Sequence, residues 1–99
     1  MKLTTVEQID EINVYQKMYC IYVYQLLGEG KWMLQHIRVR QADDLKSTMK
    51  SILTKGKHDI AVEFESFSDA GFAYDNKHNY QQRMKNEVTD RERGSWYNL

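Results

Sequence analysis

Two strand-like segments around a short glycine loop restrict the fold of this chain more than any other feature. Residues 18–27 and 31–40 are rich in aromatic and β-branched side chains, which favour a pleated, half-buried surface. The loop Gly28-Glu29-Gly30 lies between them. It predicts a three-residue turn followed by a bulge, because glycine accepts the positive φ angle needed there. The centre of the fold is therefore predicted to be an antiparallel hairpin.

Hydrophobic periodicity and capping signals predict the remaining elements. Apolar spacings of three and four indicate helices, whereas strict alternation indicates a half-buried strand. The predicted elements are a helix from Thr5 to about Tyr15, a helix from Gln41 to Gly56, a strand from Ile60 to Glu65 and a helix from Asn76 to Arg93. The segment Phe72-Ala73-Tyr74 fits either a fourth strand or the lead-in to the last helix. The chain is thus predicted to be one small α+β domain spanning residues 1–99, in the order α-β-β-α-β-(β)-α, with helices packed on a small sheet.

The second helix carries the clearest core-facing stripe. Its apolar residues at helical spacing are Leu45, Met49, Ile52 and Leu53. Symmetrical pairing of the hairpin across Glu29 would place Ile21 opposite Ile37, Tyr19 opposite Val39 and Gln25 opposite Met33. We expect the stripe to pack on one sheet face, formed by Ile21, Val23, Ile37, Val39, Ile60, Val62 and Phe64.

The other face of the predicted hairpin combines aromatic and basic side chains. In the same pairing it carries Cys20, Tyr22, Tyr24, Leu26, Trp32, Leu34, His36, Arg38 and Arg40. Three interpretations are open: a helix of the same chain covers this face, a partner or second copy binds it, or single-stranded nucleic acid stacks on its rings. The residues predicted to bind a partner are Tyr22, Tyr24, Trp32, His36, Arg38, Arg40 and, near the C-terminus, Trp96 and Tyr97. A desolvated His36 would make such an association sensitive to pH below about 6.5.

Charge is balanced over the whole chain but uneven along it. Fourteen Lys and Arg residues balance fourteen Asp and Glu residues, which argues against bulk binding of polyanions. Residues 31–58 nevertheless carry seven basic and two acidic residues. A nucleic-acid-binding accessory protein is therefore an alternative, and a solvated helix face is the competing explanation. The candidate contacts of that alternative are Arg38, Arg40, Lys46 and Lys50.

The sequence contains no recognisable catalytic or metal-binding motif. The three histidines are scattered, and the single Cys20 excludes an internal disulfide and favours a reducing cytoplasm. Glu63 and Glu65 share one side of the predicted strand, so a small metal-dependent hydrolase is a third hypothesis. The residues that would complete such a site are Asp59 or Asp69, with Lys77.

The sequence therefore predicts a small non-enzymatic protein that acts by occupying a surface on a macromolecular partner. Small proteins of this kind are frequent among phage and mobile-element inhibitors of host defence systems, and that role is one expectation. The expected partner is a protein, with a homodimer or nucleic acid as alternatives. No cofactor or metal is expected. A cytoplasmic location without a membrane span is expected, because the longest apolar run is far below the roughly 18 residues that a span needs.

Overall fold

Over the residues that the structure describes, the fold is a three-stranded antiparallel sheet with helices on both faces. The computed structural model describes residues 2–56 and 59–87, with side chains described as far as Arg83. The elements are α1 (Val6–Asp10), β1 (Met18–Gly28), β2 (Lys31–Gln41), α2 (Ala42–Gly56), β3 (Ile60–Phe67) and α3 (Ala70–Glu87). The predicted α+β class and the α-β-β-α-β-α order are confirmed, and the ambiguous segment Phe72-Ala73-Tyr74 belongs to α3.

β1 is the central strand, and both of its neighbours run antiparallel to it in the order β2-β1-β3. β2 and β3 are therefore parallel to each other, with α2 as the connection that crosses from one to the other. Residues Tyr19 to Val23 are buried without interruption, because helices cover β1 on both sides. Leu3 adds two backbone hydrogen bonds to Val62 of β3, at 2.7 and 2.9 Å.

The hairpin turn is one residue tighter than predicted. Gly28 pairs with Lys31, so only Glu29 and Gly30 occupy the centre of the turn. Their φ angles are 55° and 73°. Positive φ at both central positions is the type I′ turn, whose twist matches that of the two strands. Leu27 is the extra residue beside it, since Leu26 pairs with Trp32.

A β-bulge in β2 reverses the predicted facing of half that strand. Tyr24 pairs with Leu34, but Val23 pairs with His36, so Gln35 is an extra residue. The predicted pair Gln25–Met33 lies on the turn side of this bulge and is confirmed. Beyond the bulge the prediction is wrong by one residue, and the observed pairs are Tyr22–Ile37, Cys20–Val39, Ile21–Arg38 and Tyr19–Arg40. Because side chains alternate between faces, a one-residue shift moves all of them to the other side.

α1 begins as predicted and ends earlier. Thr5 caps the helix, because its hydroxyl accepts the Gln8 N–H at 3.2 Å and the Gln8 side chain accepts the Thr5 N–H at 3.1 Å. The helix ends at Asp10, short of the predicted Tyr15. Farther on, the Tyr19 hydroxyl accepts the N–H groups of Tyr15 and Gln16 at 2.9 and 3.0 Å. A tyrosine thus satisfies backbone groups that a longer helix would have paired.

α2 packs on the sheet with the predicted stripe. Leu45, Met49, Ile52 and Leu53 are all buried. They contact a cluster that includes Ile21, Val23, Ile60, Val62 and Phe64, together with Leu3, Ile9 and Tyr19. Ile37 and Val39, predicted for this cluster, lie instead on the α3 side because of the bulge. Gly56 at the end of α2 is required by close packing, since a Cβ atom there would lie 2.6 Å from Cβ of Ile60.

Candidate binding surfaces

α3 covers much of the aromatic face that the sequence left open to three interpretations. Tyr22 is only 6% exposed, and Ala73 of α3 is fully buried against the sheet. The Tyr80 ring meets the Tyr22 ring edge-on, with 5.3 Å between centroids. At Cys20, Tyr22 and Leu34 the face is therefore covered within the chain. Tyr22, predicted as a partner contact, is therefore largely inaccessible to a partner.

Polar groups are built into this covered face. The Tyr22 hydroxyl donates to Oε1 of Glu65 at 2.7 Å and accepts from Nδ2 of Asn76 at 2.7 Å. Burial, together with the hydrogen bond to Glu65, raises the pKa of Tyr22 above its ordinary value. The Cys20 thiol donates to the carbonyl oxygen of Ala73 at 3.2 Å, and burial raises its pKa. A buried thiol that stays protonated is a structural group, because nucleophilic attack requires the thiolate.

Beside α3, part of the sheet face remains open as the tyrosine–glutamate groove, formed by Tyr22, Tyr24, Glu63, Glu65 and Tyr80. The groove encloses about 260 Å³. Nζ of Lys2 lies 3.4 Å from Oε1 of Glu63 and 4.5 Å from the centroid of the Tyr24 ring. Burial alone would raise the pKa of Glu63, but hydrogen bonds, the largest of them from Tyr24, and nearby positive charge that includes Lys2 together lower that pKa. Burial and the bond to Glu63 raise the pKa of Tyr24.

Glu63 and Glu65 share one side of β3, as the hydrolase hypothesis requires, but the proposed third acids lie elsewhere. Asp59 precedes β3, and its carbonyl oxygen accepts the Leu26 N–H at 2.8 Å. Asp69 lies beyond the other end of the strand, where Oδ1 accepts the Phe72 N–H at 3.0 Å at the beginning of α3. Within residues 2–56 and 59–87, no group of three or more His, Cys, Asp or Glu side chains is placed to hold a metal ion.

Three residues in the second half of β2 form a second surface, the basic edge, defined by His36, Arg38 and Arg40. After the bulge these side chains lie on the α2 side, where His36 and Arg38 line a cavity of about 230 Å³ with Lys55 and Gly56. Nε of Arg38 donates to Nε2 of His36 at 3.1 Å. Arg40 donates to the carbonyl oxygen of Val39 at 2.8 Å. Neither arginine forms an ion pair with a carboxylate of the described residues.

His36 is held neutral by its surroundings. Burial and the positive charges of Arg38 and Lys77 lower its pKa to about 4. Neutral Nε2 can accept the hydrogen bond from Arg38, which a protonated ring could not. Nδ1 is buried and has no hydrogen-bond partner among the described residues. The pH response expected below about 6.5 is therefore displaced toward pH 4.

The four candidate nucleic-acid contacts fall into two separate pairs. Nζ of Lys46 donates to the carbonyl oxygen of Asp10 at 3.2 Å, and Lys50 forms an ion pair with the Asp10 carboxylate. Both lysines thus face α1, whereas Arg38 and Arg40 stand on the edge strand. Strand alternation brings the two arginines together and helical spacing brings the two lysines together. The lysine pair already has partners within the chain.

The remaining predicted contacts are only partly placed. Trp32 is half-buried and pairs with Leu26 beside the turn. Trp96 and Tyr97 lie outside the described residues, as does the part of the predicted last helix beyond Glu87. The exposed aromatic residues Tyr15, Phe72 and Tyr74 were not predicted as contacts from the sequence. The exposure of Phe72 and Tyr74 follows from helical spacing. A helix that places Ala73 and Tyr80 against the sheet directs these two neighbours away from it.

Comparisons with protein-family models, curated proteins and solved structures return no match for this chain. Among the described residues, no helix has the length and apolar character needed to cross a membrane. The two surfaces therefore have to be interpreted from their own chemistry. One is basic and lies along a sheet edge, and the other is acidic and aromatic and lies on the opposite face.

Proposed function

We propose that this chain is a small non-enzymatic binding protein that docks on a protein partner through the outer edge of β2. The observation that carries the proposal is that β2, with 11 residues, pairs only with β1 among the described residues. An unpaired strand edge offers a row of backbone N–H and C=O groups to an incoming strand. The other edge of the sheet is less open, because Leu3 pairs with Val62 of β3.

The chemistry of the basic edge favours an acidic partner strand. Arg38 and Arg40 are half-buried, and their hydrogen bonds go to neutral acceptors of the same strand. A carboxylate opposite either guanidinium would form a charge-assisted, bidentate pair, which is stronger than those neutral contacts. Opposite charges directly across a strand pair add about 0.2–1 kcal/mol each. Every second residue of the partner strand would point to the other face of the sheet. Apolar residues at those positions would lie beside Ile37 and Val39.

Self-association through this edge is disfavoured by the same residues. Antiparallel pairing of two β2 strands would bring the arginines of one copy toward those of the other, and like charges across a strand pair are destabilising. The bulge at Gln35 also interrupts regular pairing, which is a common protection of exposed edges. The stretch His36–Gln41 remains regular. The proposed partner is therefore a different protein, and the homodimer is an outcome of the test.

A protein partner is favoured over nucleic acid because the four candidate nucleic-acid contacts do not form one continuous surface. Lys46 and Lys50 are engaged by Asp10, which leaves Arg38 and Arg40 as the available half of the predicted set. The counterion-release contribution to polyanion binding is proportional to the number of phosphates neutralised, so halving that number halves this contribution to the free energy of binding. The role of a phage or mobile-element inhibitor stays a prediction. In that case the bound partner would be a host defence protein.

A designed strand peptide tests this function. A short peptide that alternates glutamate with valine is added to the isotopically labelled protein, and a peptide with lysine in place of glutamate is the matched control. We expect the acidic peptide alone to shift the backbone resonances of residues 36–41 and to slow exchange of their outward amides. The double substitution of Arg38 and Arg40 to Gln should abolish these changes, whereas Lys46→Gln with Lys50→Gln should retain them.

Three results would contradict the proposal. The first is equal binding of both peptides, and the second is binding that survives loss of both arginines. The third is tight oligonucleotide binding with a salt slope that falls by about two when Arg38 and Arg40 are removed, which would support the nucleic-acid alternative. Sedimentation of the protein alone completes the test, because a dimer broken by substitutions in β2 would assign the edge to a second copy.

A further inference from the structure

We infer that the tyrosine–glutamate groove is a separate binding site, which takes an alkylammonium group such as a lysine side chain. The site lies on the α3 side of the sheet, opposite the basic edge. Its residues come from β1, β3 and α3 and enclose about 260 Å³. The groove would serve this purpose whatever binds to the edge of β2.

The first support is that cations of the chain itself already occupy the tyrosine rings. Nζ of Lys2 lies 4.5 Å from the Tyr24 centroid, and the Arg83 guanidinium carbon lies 4.4 Å from the Tyr80 centroid. Both distances are within the roughly 6 Å at which the negative face of an aromatic ring attracts a cation. Tyr24 and Tyr80 thus attract positive charge, and a cationic ligand at either ring has to compete with Lys2 or Arg83.

The second support is the pair of carboxylates between the rings. Glu63 already forms an ion pair with the Lys2 ammonium at 3.4 Å, so this carboxylate binds an alkylammonium group of the chain itself. Glu65 is exposed, and the Tyr22 hydroxyl fixes one of its oxygens at 2.7 Å. A carboxylate has about four lone-pair sites, so Glu65 can accept further donors while it holds Tyr22. Two carboxylates and the half-buried rings of Tyr24 and Tyr80 form a polar, aromatic lining that matches an ammonium with its three donors.

The size of the groove limits the ligand to one extended side chain. Sites for whole small molecules enclose about 300–1,000 Å³, somewhat more than the groove provides. An alkyl stem can lie along the half-buried Tyr80 ring while its ammonium reaches the glutamates, which is how lysine side chains usually divide between apolar and charged surroundings. Lys2 is then the chain's own competitor for the Tyr24 end of the site.

The experiment is a titration of the labelled protein with N-acetyl-lysine methylamide, followed by nuclear magnetic resonance. The matched control is the norleucine analogue, which has the same stem without the ammonium. We expect shifts of the Tyr22, Tyr24 and Tyr80 ring resonances with a Kd on the order of 1–10 mM for the lysine compound only. A second arm with spermidine distinguishes a free polyamine from a protein side chain as the preferred source of the ammonium.

Single substitutions locate the site. Glu65→Gln keeps an acceptor for the Tyr22 hydroxyl but removes the charge, so binding should weaken by about two- to fivefold. Lys2→Met removes the internal competitor, so binding should tighten by about two- to fivefold. Glu29→Gln, a matched change in the hairpin turn, should have no effect. Equal shifts with the norleucine analogue, or no shifts with either compound, would overturn the inference even if no variant were made.

Discussion

The two faces of the sheet are built in different ways. On the α2 side the helix contributes four buried apolar side chains, and the cluster around them is mostly aliphatic, with Tyr19 and Phe64 as its aromatic members. On the α3 side the described helix residues in the cluster are Ala73 and Tyr80, and the buried Tyr22 and Cys20 are hydrogen-bonded. The α2 side thus resembles the core of a larger domain, whereas the α3 side combines apolar packing with hydrogen-bonded polar groups.

This difference separates stability from recognition. Apolar burial contributes roughly 25 cal/mol per Å², so a fully buried leucine contributes about 1.5–3 kcal/mol, whereas a typical hydrogen bond contributes about 0.5–1.5 kcal/mol net. We therefore expect substitutions on the α2 side to change the free energy of unfolding most. Substitutions on the α3 side should act more weakly on stability and more specifically on the groove.

The largest expected effect is that of Leu53→Ala. Leu53 is 5% exposed in the α2 cluster, so the substitution removes buried methyl groups and leaves a cavity. We expect the free energy of unfolding to fall by about 2–5 kcal/mol, measured by denaturant titration. Thr54→Ala, on the exposed side of the same helix, should change it by no more than about 0.5 kcal/mol. A loss close to that of the control would show that α2 does not carry the core.

A smaller effect is expected from His36 at the margin of the α2 side. Its pKa is about 4 in the folded protein, against 6.5 ordinarily, because of burial and the charges of Arg38 and Lys77. The unfolded chain therefore takes up a proton between these values that the folded chain does not, and stability falls as pH drops from about 6.5 toward 4. This loss in the free energy of unfolding is at most about 3 kcal/mol, and it is absent above pH 7, where His36 is neutral in both states.

The variant His36→Gln isolates this contribution. Glu63, whose pKa is lowered by Tyr24 and Lys2 despite its burial, also loses stabilising interactions in acid, below its ordinary value of 4.5. Wild type and His36→Gln share that loss, so the difference between their denaturant midpoints at pH 7 and pH 4.5 reports on His36 alone. Parallel pH profiles for the two proteins would show that the histidine is solvated in the folded state.

The sequence predicts the α2 side better than the α3 side, and the reason is periodicity. The stripe from Leu45 to Leu53 repeats at helical spacing on a helix that lies directly on the sheet, so one pattern determines both element and facing. The hairpin is similarly determined by its composition and turn. Alternation alone could not predict the bulge, because the residues before Gln35 and those after it each alternate regularly.

The burial of residues in β2, which only the structure shows, requires the bulge. Leu34, Ile37 and Val39 are the buried apolar residues of β2, and spacings of three and then two cannot share one face of a regular strand. One extra residue between Leu34 and Ile37 reconciles them, and Gln35 is that residue. With all three apolar residues on one face, Arg38 and Arg40 necessarily lie on the other, which is the α2 side.

The tyrosine–glutamate groove could not be predicted in the same way. Strand alternation predicts that Glu63 and Glu65 are neighbours on one face, but the residues that contact them are distant in the sequence. Tyr22 and Glu65 are 43 residues apart, and Tyr22 and Asn76 are 54 residues apart. α3 is polar along most of its length, so periodicity shows that it is a helix without showing which sheet residues it covers.

The smallest effect, and the one that tests the α3 side directly, is expected from Tyr22→Phe. The change keeps the ring against Tyr80 and removes only the hydroxyl that joins Glu65 to Asn76. Because water can reach the exposed Glu65 carboxylate, the loss in free energy of unfolding should be about 1 kcal/mol, well below that of Leu53→Ala. Tyr74→Phe, on the exposed side of α3, is the matched control and should change stability by no more than about 0.5 kcal/mol.

A double-mutant cycle of Tyr22→Phe with Asn76→Ala then measures the coupling free energy between these two residues, which we expect to be about 0.5–1.5 kcal/mol. A loss as large as that of Leu53→Ala would mean that the α3 side is as essential to stability as the α2 side. A coupling near zero would mean that the hydroxyl serves the groove without holding α3 on the sheet.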